Sequence, residues 1–387
     1  MSASTELPLR FSPPVTGSVD VLIVAGEHSG DEHAARMVRE LQAKHPQLKI
    51  AALGGPMLAA AGAQLLHDLT SSSVVGLVEV LKNYSFFRAL FSETLRWIAE
   101  HRPRAVCFID YPGFNLRLAA ALRQRGLSVK GGGKIKTLFY ISPQIWAWKA
   151  GRRFTMARDL DALAVIFPFE VKCYADTSLP VEFVGHPFVA PDYSSPVSYD
   201  RAGPVLLLPG SRKQAVARIF PALLGAYDSF REREAVVLYP SDEIRGIIER
   251  LAGRITVAGR IRWEKVGTPV AASAVLTSSG TMSMHCALAA IPGAIAYRAN
   301  PLTYLMGRML VHIQYLGIAN LLLGEPMYPE YIQGSATAKN LANELSDCVR
   351  NPVRRERTAA QAARLRELLN RPVAGTAADW LARQVAS

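Results

Sequence analysis

A chain of 387 residues, half of them hydrophobic, is too long for one hydrophobic core, which stops growing near roughly 250–300 residues, and two domains are expected. Charged residues make up 20 % and no long polar or acidic tract occurs, which excludes global disorder. The net charge of +12 calls for an anionic partner; the basic residues are dispersed and form no zinc-finger or RNP-type pattern, which favours phosphorylated small molecules or a lipid surface over nucleic acid.

The N-terminus, MSASTELPLRFSPPVTGSVD, has neither the apolar core nor the cleavage pattern of a signal peptide, so a cytoplasmic location is expected. Val21 to Ala25 is an apolar run followed by Gly26-Glu27-His28-Ser29-Gly30-Asp31 and a helical pattern through Leu41: strand, glycine turn, helix. Val74 to Phe91 carries Leu77, Val80, Leu81, Tyr84, Phe87 and Leu90 at helical spacing. Such a helix packs on a core or rests in a membrane interface, and the sequence leaves both open. Further strands are predicted at Ile50 to Leu53, Ala105 to Ile109, Thr137 to Ile141, Ala162 to Ile166 and Val181 to Val184. Short apolar runs separated by helical stretches indicate a parallel sheet covered by helices.

After a linker-like stretch from Ala190 to Pro196 the pattern restarts, with strands predicted at Val205 to Leu208, Ala235 to Tyr239, Ile255 to Ala258, Ala274 to Thr277 and Gly293 to Tyr297. The fold class is therefore α/β, with two Rossmann-like, doubly wound domains facing a central cleft. The boundaries expected are 1–190, 191–350 and a helical tail, 351–387, returning to the first domain. The most apolar stretch, Leu302 to Leu323, is interrupted by Arg308 and His312 and falls short of the roughly 18 uninterrupted apolar residues of a spanning helix. Cys107, Cys173, Cys286 and Cys348 form no CxxC pair, so neither a zinc cluster nor a disulfide framework is expected.

Four strand ends carry chemistry. Pro209-Gly210-Ser211-Arg212 joins a strand to a helix, where glycine admits a ligand, helix N–H groups are unpaired and arginine adds a cation for a diphosphate; a plain turn is the alternative. Thr277-Ser278-Ser279-Gly280-Thr281 is a second such junction, before the helix predicted at Met282 to Ala290, and is either a phosphate loop or a capping segment. Asp110 ends a strand and precedes Tyr111-Pro112-Gly113-Phe114-Asn115; it is either a general base raised by partial burial or the opening of a turn. Glu27, His28, Ser29 and Asp31 form a polar cluster expected to line the same crevice.

With these blocks in place, the chain closely resembles the lipid-A-disaccharide synthase family, a group of GT-B glycosyltransferases. The resemblance rests on AGEHSGD (25–31), GGP (54–56), VGLVEVL (75–81), FIDYPGFN (108–115), ISPQIWAWK (141–149), FPFE (167–170), FVGHP (183–187), LLPGSR (207–212), SSGT (278–281), YRANPLTY (297–304), ANLLLG (319–324) and PEYIQ (329–333), in the family's order. It implies a GT-B fold and an inverting hexosyl transfer with no cofactor and no obligatory metal. The donor implied is UDP-2,3-diacylglucosamine and the acceptor 2,3-diacylglucosamine 1-phosphate, giving the β-1,6-linked lipid A disaccharide 1-phosphate and UDP. It also implies peripheral attachment to the cytoplasmic face of a bacterial inner membrane, with acyl or membrane contacts from Leu77, Val80, Leu81, Tyr84 and Phe87, and leaves a homodimer open.

Carried over by position, the resemblance makes Asp110 the base towards the acceptor hydroxyl and Arg212 the cation at the departing diphosphate. Gly210, Ser211, Ser279, Gly280, Thr281, His285 and Asn320 would line the donor site, and Glu27, Ser29, Gly30, Asp31 and Asn115 the acceptor crevice. The chain departs from the family pattern at His285, where a glutamate is usual, at Gly113, where a second acid is usual, and at Tyr111, Ala34 and the GGPML block. One ring nitrogen of His285 is expected to meet the ribose, with simple packing as the alternative. Two other readings compete: a GT-B enzyme acting on a different UDP-amino-sugar, and a divergent paralogue that binds lipid-linked sugars without turnover.

Overall fold

The computed structural model describes residues 9–70, 84–253, 260–300, 304, 313–371 and 373–386. Two compact units emerge, one comprising Met1–Pro187 with Arg371–Ser387 and the other Phe188–Asn370.

In the first unit the chain runs β1 (Val21–Ala25), α1 (His28–Lys44), β2 (Ile50–Gly54), α2 (Pro56–Ala60), β3 (Gln64–Asp68), α3 (Tyr84–His101), β4 (Ala105–Ile109), α4 (Pro112–Gln124), β5 (Lys136–Tyr140), α5 (Arg152–Asp159), β6 (Ala162–Val165) and β7 (Val181–Phe183). The seven strands form one parallel sheet in the order β3-β2-β1-β4-β5-β6-β7. β1, β2, β4 and β6 are buried at every residue, which is why they read as continuous apolar runs. β3 is an edge strand, half-buried throughout, and its QLLHD sequence has no such run. From β1 the chain first builds outward to β2 and β3, then returns to the other side for β4, so the order reverses between β1 and β4. In open α/β sheets ligands bind outside the carboxyl ends of the strands at such a switch point.

The predicted helix Val74 to Phe91 is met by α3 from Tyr84 onward, and Leu77, Val80 and Leu81 lie outside the described residues. Leu90, Leu95, Trp97 and Ile98 of α3 are buried in the core, and Phe87 is half-buried against it, so the described part is a core helix.

The second unit contains β8 (Val197–Tyr199), β9 (Val205–Leu208), α6 (Lys213–Phe230), β10 (Ala235–Tyr239), α7 (Asp242–Ala252), β11 (Ile261–Lys265), β12 (Val270–Ala272), β13 (Ala274–Thr277), α8 (Thr281–Leu288), β14 (Gly293–Tyr297), α9 (Ile318–Leu323), β15 (Glu330–Ile332), α10 (Ala338–Arg350) and α11 (Pro352–Leu369). Its six-stranded parallel sheet has the order β11-β10-β9-β13-β14-β15, with the reversal between β9 and β13; β8 and β12 pair separately. The strand predicted at Ile255 to Ala258 lies wholly outside the described residues, and the pairing with β10 is made by Ile261–Lys265.

The tail divides at Asn370 rather than at Arg350. α11 stays with the second unit, where the buried Arg354 donates to the Gly293 carbonyl at 2.8 Å. Only the last segment, containing α12 (Ala377–Ala386), belongs to the first unit. There Trp380 and Leu381 are buried, Lys44 pairs with Asp379 at 2.7 Å, and Lys136 donates to the Gln384 carbonyl at 2.8 Å. No described helix is long and apolar enough to cross a membrane.

Candidate functional site

At the switch point of the first unit, Asp110 follows the last residue of β4 and donates its N–H to the Tyr140 carbonyl at 3.0 Å. Asp110 and Tyr111 both adopt left-handed backbone conformations, with φ of 45° and 49°. Two consecutive non-glycine residues in this region store strain of about 1–3 kcal/mol each, which persists only where the surroundings over-determine it. Asn115 supplies part of that constraint: its side-chain N–H₂ donates to the carbonyls of Asp110 at 2.8 Å and Val24 at 3.3 Å, tying the turn to β1. Pro112 at the start of α4 fixes the next φ for the helix.

The strained turn holds the Asp110 carboxyl half-buried at the strand ends. Desolvation, followed by the neighbouring Glu27 carboxylate, pushes its pKa up to about 6, against the opposing hydrogen bond from the Tyr111 N–H. Glu27 is exposed at the N-cap of α1, beside exposed His28 and half-buried Ser29. Glu27 thus lies near enough for its charge to act on Asp110, whose carboxyl titrates closer to neutral pH than an ordinary aspartate.

Asp31 and Asn115, expected to line the crevice, are fully buried scaffold residues. The Asp31 carboxylate accepts from Gly55 N at 2.8 Å, Met57 N at 3.0 Å and Leu58 N at 3.2 Å, so it caps α2. Gly30 is buried, with Ala25 and Ile109 at van der Waals distance from the place a Cβ would occupy.

Glu170, in the FPFE block, is a carboxyl that sequence reasoning missed. It is 1 % exposed in the turn after β6, where it accepts from Phe167 N at 3.1 Å and Trp146 Nε1 at 3.3 Å. Burial dominates in raising its pKa to about 8, and the Asp110 carboxylate adds to the rise. An acid within a short aromatic block gives no sequence signal of being buried.

The switch point of the second unit brings the two glycine-containing junctions side by side. Leu208 pairs with Thr277, and Ser278 N donates to the Leu208 carbonyl at 2.9 Å. Gly210 has a φ of 99°, and a Cβ there would stand 2.7 Å from Ser278 Oγ, so both conformation and proximity require glycine. Arg212 is the N-cap of α6 and Gly280 the N-cap of α8, and neither helix start has a side-chain cap. Ser211, Arg212, Gly280 and Thr281 are exposed and Ser279 is half-buried. Two uncapped helix N-termini beside a guanidinium form an arrangement suited to an anion.

His285 sits one turn into α8, 5 % exposed, with its ring stacked on Phe188 at 3.9 Å and on Tyr193 at 5.7 Å. The Tyr193 hydroxyl lies 3.4 Å from each ring nitrogen, and burial lowers the His285 pKa to about 4. The imidazole is thus neutral and packed in an aromatic cluster with Phe188 and Tyr193, whose own ring centroids lie 5.2 Å apart, an environment that matches the packing alternative rather than the expected ribose contact. Asn320, also expected at the donor, is fully buried; it donates to the Tyr328 carbonyl at 2.7 Å and to Glu330 at 2.9 Å and accepts from Tyr328 N at 2.9 Å. It braces the segment around Gly317, whose N–H donates to Glu330 at 2.9 Å.

Two Rossmann-like units with parallel sheets define the GT-B class, and solved structures agree. A putative UDP-N-acetylglucosamine 2-epimerase from Listeria monocytogenes superposes with a TM-score of 0.60 at 11 % identity, covering 94 % of this chain and 95 % of its own. The calicheamicin glycosyltransferase superposes with a TM-score of 0.57 at 13 % identity, covering 95 % and 98 %. At these identities the likeness is one of fold.

The sequence carries the assignment further. A family described as lipid-A-disaccharide synthetase matches residues 21–385. A lipid-A-disaccharide synthase of Geobacter metallireducens is 37 % identical, covering 90 % of this chain and 92 % of its own; lipid-A-disaccharide synthase 1 of Legionella pneumophila (strain Lens) is also 37 % identical, covering 90 % and 93 %. The chain belongs to the lipid-A-disaccharide synthetase family, and it is a glycosyltransferase of lipid A biosynthesis.

Proposed function

We propose that the protein transfers 2,3-diacylglucosamine from its UDP donor to the 6-hydroxyl of 2,3-diacylglucosamine 1-phosphate, with inversion, releasing UDP. The observation that carries this reading is Asp110: a half-buried carboxyl at a switch point, on a strained turn, raised to about 6. Ionised at neutral pH yet still basic, it takes the proton of the acceptor hydroxyl while that oxygen attacks the anomeric carbon. Glu27 keeps the carboxyl basic.

As the bond from the anomeric carbon to the diphosphate breaks, negative charge grows on UDP. Arg212, the free N–H groups at the start of α6 and the Ser279-Gly280-Thr281 turn before α8 receive it. Fixed donors of this kind are worth roughly 10²–10³ in rate each. Gly210 and Ser211 bring the backbone close to the diphosphate. The substrates are lipid-linked and anionic, which suits a chain of net charge +12 working at the cytoplasmic face of the inner membrane, attached peripherally.

The test is turnover of the acylated UDP donor and lipid acceptor in detergent, read as UDP release and disaccharide formation. Arg212→Ala lowers kcat by roughly 10²–10³ in that assay and leaves the fold intact, since the residue is exposed. Absence of a disaccharide with both substrates present, or full turnover with unacylated UDP-N-acetylglucosamine in place of the donor, overturns the proposal.

A further inference from the structure

Among the described residues, the exposed large hydrophobic side chains include one tryptophan and one phenylalanine, Trp148 at 42 % and Phe154 at 52 % exposure. They lie six positions apart, in the loop between β5 and α5 and in the first turn of α5. The other exposed large hydrophobics are scattered.

The segment between them is well anchored. Immediately before it Ile145 and Ala147 are buried, and Trp146 is tied to Glu170. Trp148 N donates to the Gln144 carbonyl at 3.3 Å, Lys149 adopts a left-handed φ of 56°, and Arg152 N donates back to the Lys149 carbonyl at 2.9 Å. Trp148 is therefore exposed on a braced turn, directly after the buried Ala147 and before the exposed Lys149 and Ala150. A large apolar group held in water in this way costs free energy unless something covers it.

The charges around it point to the cover. Lys149 Nζ lies 4.4 Å from the Trp148 ring centroid and the Arg152 guanidinium 5.6 Å from it, both within cation–π range. Arg153 lies 4.2 Å from the Phe154 ring and is neutralised by Asp176, with both oxygens accepting at 2.7 and 2.6 Å. Lys149 and Arg152 have no acidic partner among the described residues, and from Trp148 to Arg158 the sequence contains no acid. Indole and phenyl rings interleaved with unpaired cations match the headgroup zone of a bilayer, where aromatic rings sit at the apolar boundary and ammonium and guanidinium groups meet lipid phosphates.

We propose that the Trp148–Phe154 surface is a docking site for an anionic lipid bilayer. This deepens the reading of lipid-linked substrates, which gives the enzyme a reason to rest on the leaflet that carries them. Its residues lie outside the Val74 to Phe91 stretch.

The experiment is sedimentation of the full chain with vesicles of phosphatidylcholine alone or mixed with phosphatidylglycerol, alongside turnover in detergent. Wild type binds the mixed vesicles more tightly, and added salt weakens the binding. Replacing Lys149→Gln and Arg152→Gln lowers partitioning by roughly fivefold each, about 30-fold together. Trp148→Ser with Phe154→Ser lowers it by roughly tenfold. All four variants keep the detergent turnover of wild type. Unchanged binding by the variants, or equal binding of wild type to neutral vesicles, overturns the proposal; so does a parallel loss of detergent turnover, which assigns the patch to substrate binding. Vesicle binding needs no turnover, so a wild type inactive in detergent removes the transfer reading while the phosphatidylglycerol dependence still decides the surface.

Discussion

The ring of Tyr111 lies over Gly26, so close that a Cβ on the glycine would stand 2.2 Å from Tyr111 Cδ1. The two residues come from the strand ends on either side of the switch point, and Gly26 itself does not occupy the left-handed region. The glycine is needed there for space. Gly26→Ala is expected to displace Tyr111, disturb the adjoining Asp110 and cost about 1–3 kcal/mol of stability together with most of kcat. Tyr111→Ala in the same chain removes the clash and restores most of the stability. A double-mutant cycle by chemical denaturation reads the coupling as more than about 1 kcal/mol, and strict additivity would show that the contact carries no energy.

Asp110→Asn is expected to abolish turnover, spare UDP affinity and stabilise the fold. The native carboxyl keeps its proton up to about pH 6, whereas the unfolded chain releases it near 3.8, so the group's contribution to stability falls as pH rises through that window and is flat above it. The amide escapes this penalty and tolerates the left-handed φ of 45° better than most residues, for a gain of about 1–2 kcal/mol at pH 7. Denaturation at pH 7 measures it. The wild-type rate is expected to show its acid limb near pH 6 for the same reason, because protonated Asp110 cannot take the acceptor proton. A variant that is inactive and less stable contradicts this account.

These contacts mark what sequence reading reaches. Buried central strands such as β1, β4, β9 and β13 are continuous apolar runs and were legible, as were the polar turns that follow them. The edge strands β3, β11 and β15 are half-buried, mix charged and apolar residues, and escape the same rule. At the site, Asp110 and the two glycine junctions could be located from their places at strand ends. The commitment of Asp31 to α2, of Asn320 to Tyr328 and Glu330, and of His285 to Phe188 could not, because each partner is distant in sequence or set by packing.

For His285, stacking predicts that ribose recognition does not depend on it. His285→Phe preserves the stack with Phe188 and is expected to change UDP affinity by less than about threefold in calorimetry, since only a weak hydrogen bond to Tyr193 is lost. It also removes a source of acid sensitivity. The native ring resists protonation down to about pH 4, whereas the unfolded chain takes up a proton near 6.5, so the wild type loses stability as pH falls from 6.5 to 4, by on the order of 2–3 kcal/mol from this group. His285→Glu places a carboxyl in the same aromatic stack and is expected to cost roughly 2–4 kcal/mol without raising the rate. A tenfold loss of UDP affinity in His285→Phe would restore the ribose contact.

Glu170 makes the last prediction. Its carboxyl faces Trp146, the Phe167 N–H and the charge of Asp110, and the nearby Cys173 and Tyr174 are neutral at pH 7 because burial raises both. The native protein holds the Glu170 proton up to about pH 8, while the unfolded chain releases it near 4.5, so this group's contribution falls as pH climbs between those values. Glu170→Gln has no such titration, and its stability should be flatter across that range even though the amide retains only one of the two acceptors. Intrinsic fluorescence gives an independent readout: ionisation strengthens the hydrogen bond from Trp146 Nε1, so wild-type emission should titrate with a midpoint at about pH 8. The same transition in Glu170→Gln would assign it to another group.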